Sequence, residues 1–152
     1  MIKRIYLFTA IFLILMSVIS CTSPAGTVNF VEVIEVIDGD TIVIEGGQRV
    51  RYIGIDTPET YPEAEVFGVE AWQANRRLVE GKRVRLERDV SETDKYGRLL
   101  RYVYVNDLFV NAELVKEGLA EAVAYPPDIK YQDYLEQMEL EARKAGRGLW
   151  AK

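Results

Sequence analysis

The sequence VIDGDT, residues Val36–Thr41, together with IDTPET, residues Ile55–Thr60, decides how the rest of this chain is interpreted. Each stretch carries carboxylates among strand-forming apolar residues, beside a turn that Gly39 or Pro58 makes. Carboxylates that lie at strand ends, outside the core, are typical oxygen ligands of a cation. The two stretches therefore predict a cation site at one rim of a β-structure.

Apolar periodicity around these stretches predicts five strands and three helices. One helix lies between the third and fourth strands, and two follow the fifth. The predicted strands are Phe30–Ile37, Thr41–Ile44, Gln48–Ile55, Lys82–Arg88 and Leu99–Val105. The predicted helices are about Val69–Glu80, Val110–Glu117 and Tyr131–Ala145. This order indicates an α+β, mainly β fold, a five-stranded Greek-key barrel of the OB type with three helices.

The first 20 residues of the chain are mostly apolar and differ from the mixed, charged sequence that follows. Lys3 and Arg4 precede an uncharged apolar run, Ile5–Ile19, and a small residue then comes before Cys21. This pattern predicts an export signal over residues 1–20. The run is shorter than the about 20 apolar residues of a membrane-spanning helix. An uncleaved N-terminal anchor is the alternative, and both interpretations predict that the folded part is exported.

The tetrad that ends in Cys21 resembles a bacterial lipoprotein lipobox. This resemblance implies cleavage before Cys21 and attachment of lipid to its sulfur, so that the protein is held at the outer face of a bacterial cell membrane, or is secreted. Residues 21–28 would form a tether and residues 29–150 the folded domain. Because Cys21 is the single cysteine, no disulfide within the chain is possible.

Composition narrows the chemistry of the domain. The chain has 152 residues, 49% of them hydrophobic, which suits one compact domain. Its net charge of −5 becomes −7 without residues 1–20, which hold two basic residues and no acidic one. Broad adhesion to nucleic acid is therefore disfavoured, and a few arginines and a metal would have to bind any polyanion. Because the chain has no histidine, imidazole zinc sites and histidine-based triads are excluded.

Asp40 and Asp56 are the candidate metal ligands. Asp40 follows the first predicted strand and Asp56 ends the third, so adjacent strand ends would bring both carboxylates to one rim. Two carboxylates with nearby backbone carbonyls make an oxygen-only site that suits Ca²⁺ or Mg²⁺. The alternative is that both aspartates only shape turns, which collect Asp and Gly for conformational reasons. Spacing alone leaves both interpretations open.

Arg51, Arg98 and Glu59 are the other candidates. Two guanidiniums that converge on a carboxylate-bound metal would form a phosphate clamp, because each can donate two parallel hydrogen bonds. The alternative is that each arginine pairs with a surface glutamate. Glu59 follows the third predicted strand and is the natural group to orient or deprotonate water in a chain without histidine. Glu63 and Glu65 are interpreted as solvated.

The chain strongly resembles the staphylococcal nuclease family, also called the thermonucleases, in four motifs that come in the family's order. These are VIDGDT, Arg51 with IDTPET, TDKYGR (Thr93–Arg98) and VNAELVKEGLA (Val110–Ala120). The resemblance runs from about Val28 to Trp150. It implies an OB-type barrel and a Ca²⁺-dependent nuclease of DNA and RNA that prefers single-stranded or frayed regions. Cleavage of the P–O5′ bond, leaving 3′-phosphate ends, and a monomeric state are further expectations from it.

Site residues follow from the resemblance position by position. The implied Ca²⁺ ligands are Asp40, Asp56 and the carbonyl of Thr57, with Asp38 in support. Glu59 would act on the attacking water, while Arg51 and Arg98 would bind the scissile phosphate. The implied nucleotide-binding residues are Lys95, Tyr96 and Tyr125. The loop from Thr60 to Val66 departs from the family, because it is short and carries glutamates where lysines are familiar.

Two other functions stay open on the sequence. A non-catalytic OB-fold lipoprotein could bind single-stranded nucleic acid without cutting it; loss of the carboxylates or arginines would mark such a protein, and here all are present. A Ca²⁺-stabilised envelope lipoprotein with no nucleic-acid role is the third interpretation. A digestion assay with and without Ca²⁺ distinguishes all three.

Overall fold

A computed structural model of the protein describes residues 30–151. The expected export signal over residues 1–20, the lipidation site Cys21 and the tether over residues 21–28 lie outside these described residues. Within them, the structure contains no helix with the length and apolar character needed to cross a membrane.

Eight strands, three α-helices and one short 3-10 helix make up the described part of the chain. The strands are β1 (Phe30–Val36), β2 (Thr41–Ile44), β3 (Arg49–Tyr52), β4 (Ile55–Asp56), β5 (Arg83–Glu87), β6 (Leu99–Val105), β7 (Leu108–Phe109) and β8 (Glu121–Ala122). The helices are α1 (Gly68–Val79), α2 (Val110–Lys116) and α3 (Gln132–Ala145), followed by the 3-10 helix Gly148–Trp150.

Five of these strands close into a mixed barrel. Antiparallel ladders join β3 to β2, β2 to β1, β1 to β5 and β5 to β6, and a parallel pairing of β3 with β6 completes the circle. The predicted five-stranded, mainly β barrel with three helices is therefore confirmed. Closure also sets Arg51 opposite Leu100 in the final ladder, so residues from the third and fifth predicted strands meet at one rim.

The core lies inside the barrel and beneath the three helices. Alternation along the strands and helical spacing along α1 and α3 put β-branched and small residues on the inner faces. The fully buried members include Val33, Ile42, Val50, Ala71, Val84, Val103, Leu114 and Leu135. Helix α1 packs against β1 and α2, and this contact places it beside the turn that holds Asp38 and Asp40.

The predicted length of the third strand is wrong. Gln48–Ile55 is not one strand, because the chain breaks at Gly54 into β3 and β4. Gly54 has φ of +78°, and a Cβ atom there would lie 2.6 Å from Leu135 Cδ1. The left-handed backbone turns β4 away from the barrel ladder, so that it pairs with β8 instead. Asp56 therefore stands on a separate two-stranded ribbon. The short strands β7 and β8 were also not predicted.

Candidate active site

The turn from β1 into β2 places Asp40 against Thr57. Asp40 donates its backbone N–H to Asp38 Oδ1 at 2.9 Å, an aspartate-stabilised turn. A Cβ atom on Gly39 would lie 2.6 Å from Thr57 Oγ1, so only glycine permits this approach. Thr57 in turn donates its backbone N–H to Asp40 Oδ2 at 3.0 Å. The structure thus brings together the two stretches that carry the predicted ligands.

Arg51 lies between the two candidate carboxylates. Its Nη1 is 2.5 Å from Asp40 Oδ2 and its Nη2 is 2.6 Å from Asp56 Oδ1. Asp40 is only 4% exposed, and burial raises its pKa to about 7 even though Arg51 lowers it. Both carboxylates therefore lie at one point of the barrel rim, on either side of the Arg51 guanidinium.

The donor set at this point fits a hard cation. Within residues 30–151 there is no group of three or more Asp, Glu, His or Cys side chains arranged to hold a metal. A cation here would take carboxylate oxygens from Asp40 and Asp56, with backbone carbonyl oxygens and water completing its shell, as Ca²⁺ and Mg²⁺ accept. The desolvated Asp40 carboxylate would be stabilised by a second positive charge beside it. Oxygen ligands alone match neither zinc nor copper preferences.

Glu59 lies in the exposed turn beside the same point. Partial burial, followed by the charges of Asp38 and Asp56, raises its pKa. Its backbone N–H donates to Glu65 Oε2 at 3.0 Å, and Glu65 donates its own N–H back to the Glu59 carbonyl at 2.9 Å. Glu65 is exposed, as expected of a solvated side chain, but its carboxylate also fixes the Glu59 turn. Glu63 is exposed, as expected.

A cavity of about 510 Å³ opens beside Arg51. Its lining includes five residues singled out by the sequence, Arg51, Lys95, Tyr96, Arg98 and Tyr125. The Tyr96 ring is 71% exposed, with Lys95 Nζ 4.9 Å and Arg98 Cζ 5.5 Å from its centroid. The cavity therefore combines positive charge with an open aromatic face, a pairing that suits nucleotides.

Arg98 reaches this cavity from a braced loop. Its Nε donates to Asp94 Oδ2 at 2.6 Å, while Asp94 Oδ1 accepts the backbone N–H groups of Tyr96 and Arg98 at 2.9 and 3.0 Å. The phosphate clamp formed by the two arginines stays a prediction, and pairing with surface glutamates is not observed for either of them. Arg51 and Arg98 face one cavity, and each also pairs with a carboxylate, although with aspartates and not with surface glutamates.

Three side chains that support the site do not stand out in the sequence. Asn75 Nδ2 donates to the Asp38 carbonyl at 3.0 Å, and the Tyr52 hydroxyl donates to Asn75 Oδ1 at 2.9 Å. Trp72 Nε1 donates to the Val36 carbonyl at 2.9 Å. The one available signal was an amide, Asn75, on the inner face of a helical pattern, where a polar side chain needs a partner.

Comparison with known proteins assigns the chain to a family. Residues 49–152 match the family described as "Staphylococcal nuclease homologue". The chain belongs to the staphylococcal nuclease family. It is 44% identical over 126 residues to "Thermonuclease" of Staphylococcus hyicus, covering 79% of this chain and 75% of that protein. It is also 48% identical over 121 residues to "Thermonuclease" of Staphylococcus intermedius, covering 76% and 72%.

A Bacillus relative extends the comparison. The chain is 44% identical over 124 residues to "Endonuclease YncB" of Bacillus subtilis (strain 168), covering 76% of this chain and 59% of that protein. The family assignment drawn from the four motifs is therefore confirmed, and it agrees with the barrel and the order of helices that the structure shows.

Proposed function

We propose that this protein is a Ca²⁺-dependent nuclease that hydrolyses phosphodiester bonds of DNA and RNA. It cleaves the P–O5′ bond to leave 3′-phosphate ends, and it prefers single-stranded or frayed regions. The observation that carries the proposal is the position of Arg51, whose side chain is 14% exposed. It bridges Asp40 and Asp56 at the edge of the cavity that Arg98 also lines.

Asp40, Asp56 and the carbonyl of Thr57 are the proposed Ca²⁺ ligands. A bound Ca²⁺ supplies charge neutralisation on the phosphate and lowers the pKa of nearby water. The protein contributes a desolvated carboxylate whose position is fixed on both sides, because Asp40 accepts from Thr57 and from Arg51. Asp38 supports it by accepting the Asp40 backbone N–H.

Arg51 and Arg98 bind the scissile phosphate in this proposal. Each guanidinium can donate parallel hydrogen bonds to phosphate oxygens, and both line the same cavity. As water attacks phosphorus, negative charge grows on the equatorial oxygens. Preorganised positive groups at that place stabilise the transition state more than the bound substrate.

Glu59 orients and deprotonates the attacking water. Its raised pKa, caused by partial burial and by the charges of Asp38 and Asp56, brings it nearer to neutral pH, where a general base is more effective. The Glu65 carboxylate keeps the Glu59 backbone in place through the 3.0 Å hydrogen bond. Lys95, Tyr96 and Tyr125 flank the nucleotide, with Tyr125 stacking on a base.

Digestion of denatured DNA by purified residues 22–152 tests this function. We expect cleavage with Ca²⁺ and none with EGTA. Glu59→Gln, Arg51→Ala and Arg98→Ala should each lose at least about 100-fold in kcat. Arg49→Ala is a matched control for Arg51, because Arg49 lies on the same strand and is exposed. If EGTA leaves the cleavage rate unchanged, the proposal is refuted. If the protein retains single-stranded DNA but does not cut it, the non-catalytic nucleic-acid-binding lipoprotein is favoured.

The position of the enzyme in the cell is a separate proposal. The chain is a monomeric lipoprotein in which residues 1–20 are removed, Cys21 is lipidated, residues 21–28 form a tether and residues 29–150 form the nuclease domain. The apolar run before Cys21 supports it. Growth of a producing bacterium with labelled fatty acid should label the wild-type protein and not Cys21→Ser. Equal labelling of both proteins would contradict this anchor.

A further inference from the structure

Helix α1 is fastened to the turn that carries Asp40 by two side-chain hydrogen bonds. Trp72 Nε1 donates to the Val36 carbonyl at 2.9 Å, and Asn75 Nδ2 donates to the Asp38 carbonyl at 3.0 Å. Trp72 and Asn75 are three residues apart, so they lie on one face of the helix. The two accepting carbonyls belong to the last residue of β1 and to the first aspartate of the turn.

Tyr52 completes this attachment from strand β3. Its hydroxyl donates to Asn75 Oδ1 at 2.9 Å, and its backbone N–H donates to the Asp40 carbonyl at 2.9 Å. An amide has one accepting and one donating end. Because the hydroxyl donates to the oxygen of Asn75, the nitrogen is directed at the Asp38 carbonyl.

Packing alone does not require a polar pair here. Tyr52 is 1% exposed and Asn75 is fully buried, in a core whose other members are mostly aliphatic. Phenylalanine and leucine would fill similar volumes without burying three polar groups, which are costly unless each one is paired. What the amide adds is a donor aimed at the backbone of the metal-site turn.

We propose that Asn75 is a positioning residue for Asp40. By holding the Asp38 carbonyl, it fixes the turn so that the Asp40 carboxylate keeps its contacts with Thr57 and Arg51. Asn75 touches neither the carboxylate nor the cavity. Its consequences for Ca²⁺ affinity and cleavage rest on the proposed function, whereas its effect on the turn does not.

Three variants separate positioning from simple stability. Asn75→Leu leaves the Tyr52 hydroxyl and the Asp38 carbonyl without their partner, so both stability and site geometry suffer. Tyr52→Phe with Asn75→Leu removes both polar side-chain groups and should regain most of the stability, while the Asp38 carbonyl still lacks its donor. Tyr52→Phe alone removes the hydroxyl that orients the amide but leaves Asn75 Nδ2 able to donate to the Asp38 carbonyl. Its Ca²⁺ affinity should therefore lie between those of wild type and the double variant.

Calorimetric Ca²⁺ titration, urea unfolding and amide hydrogen exchange of Asp40 and Thr57 are the measurements. In the double variant we expect the free energy of unfolding to return close to the wild-type value. Its Ca²⁺ affinity should still be about 10- to 100-fold weaker than that of wild type, and its amide exchange at Asp40 should still be faster. If affinity and exchange recover together with stability, Asn75 is only structural and the proposal is overturned.

The same three variants distinguish failure of the proposed function from failure of the positioning role of Asn75. If the wild-type protein neither binds Ca²⁺ nor cleaves DNA, the function is wrong, and exchange in the metal-free protein then decides the positioning role. Faster exchange at Asp40 in both variants that contain Asn75→Leu supports it, and unchanged exchange overturns it. Should Asn75→Leu alone fail to fold, the double variant carries the comparison.

Discussion

At the scale of single residues, Asp40 gives the metal-free protein an unusual pH dependence. Burial raises its pKa to about 7 from 3.8, so between about pH 4 and 7 the folded state holds a proton that the unfolded chain has released. Stability of the metal-free protein therefore falls as pH rises through this window. The asparagine of Asp40→Asn cannot ionise. The loss of unfolding free energy across this pH window should therefore be smaller in this variant than in wild type, by about 1 kcal/mol or more.

Urea unfolding in EGTA at pH 5 and pH 8 measures this difference. Asp107→Asn is a suitable control, since Asp107 is an exposed turn residue away from the site. An equally steep decline in Asp40→Asn and in wild type would mean that another group causes it. In the proposed function Ca²⁺ binds the ionised Asp40 carboxylate, so added Ca²⁺ should reverse the trend at pH 8.

The sequence exposed the charged residues of the site but not their supports. Asp40 and Asp56 stand out as carboxylates at strand ends, and Arg51 as a charge on a mostly apolar strand, although turn formation alone could also account for the aspartates. Asn75 stays hidden, since its partner Asp38 lies 37 residues away and only the packing of α1 against β1 brings them together. A local pattern predicts that a buried amide needs a partner, but not which one.

At the scale of elements, the loop from Asp94 to Arg98 is ordered by one carboxylate. Asp94 accepts two backbone N–H groups and Arg98 Nε; burial raises its pKa, but the hydrogen bonds from Arg98 outweigh this and hold the pKa below its usual value. Asp94→Ala frees the loop that presents Tyr96. Substrate must then order it again, so KM for single-stranded DNA should rise about 3- to 10-fold.

Steady-state kinetics on a defined single-stranded oligonucleotide test this expectation, with Asp107→Ala as the matched turn control. A lower kcat with unchanged KM would show that Asp94 acts on the chemistry through Arg98 and not on loop order.

The break between β3 and β4 offers an element-scale test of stability. Gly54 and Gly47 have nearly equal φ values, +78° and +80°, so alanine costs both about 1 kcal/mol of backbone strain. Only at Gly54 would the added Cβ meet a neighbour, Leu135 Cδ1 at 2.6 Å, whereas Gly47 has open space. Gly54→Ala should therefore destabilise by about 1–3 kcal/mol more than Gly47→Ala.

Denaturant unfolding of the two alanine variants isolates the packing contribution, since the strain largely cancels. If Gly54→Ala and Gly47→Ala lose the same unfolding free energy, α3 moves away from residue 54 at little energetic cost. The break itself was not predicted, because apolar residues continue through Ile53 and Ile55 and only the contact with α3 reveals why glycine stands between them.

At the scale of the whole molecule, the strand order and the barrel could be predicted, but the register of the ladder that closes the barrel could not. Five strands with a helix after the third follow from local periodicity. The closing pair, β3 with β6, joins residues near position 50 to residues near position 100 in a parallel register. No local pattern encodes that register; it follows from sheet twist and from the volume that the core side chains fill.

The acidic balance of the whole chain predicts weak salt dependence for a protein that acts on a polyanion. Affinity for nucleic acid rises with the number of phosphates that basic side chains neutralise, and the log–log slope against salt is about −0.7 per phosphate on single strands. Three cationic side chains, Arg51, Lys95 and Arg98, line the cavity, so log(1/KM) at saturating Ca²⁺ should fall with a slope near −2.

Glu63→Lys tests whether binding is confined to that cavity, because Glu63 is exposed in the short glutamate-rich loop beside the site. The added cation should lower KM at low salt and steepen the slope by about 0.7, while kcat stays unchanged. Glu63→Gln controls for simple loss of the negative charge. A wild-type slope near −5 or steeper would require phosphate contacts well outside the cavity. A slope near −2 would mean that the acidic balance, a net charge of −7 without residues 1–20, restricts this nuclease to local contacts. A few fixed cations and a metal would then replace a broad basic surface.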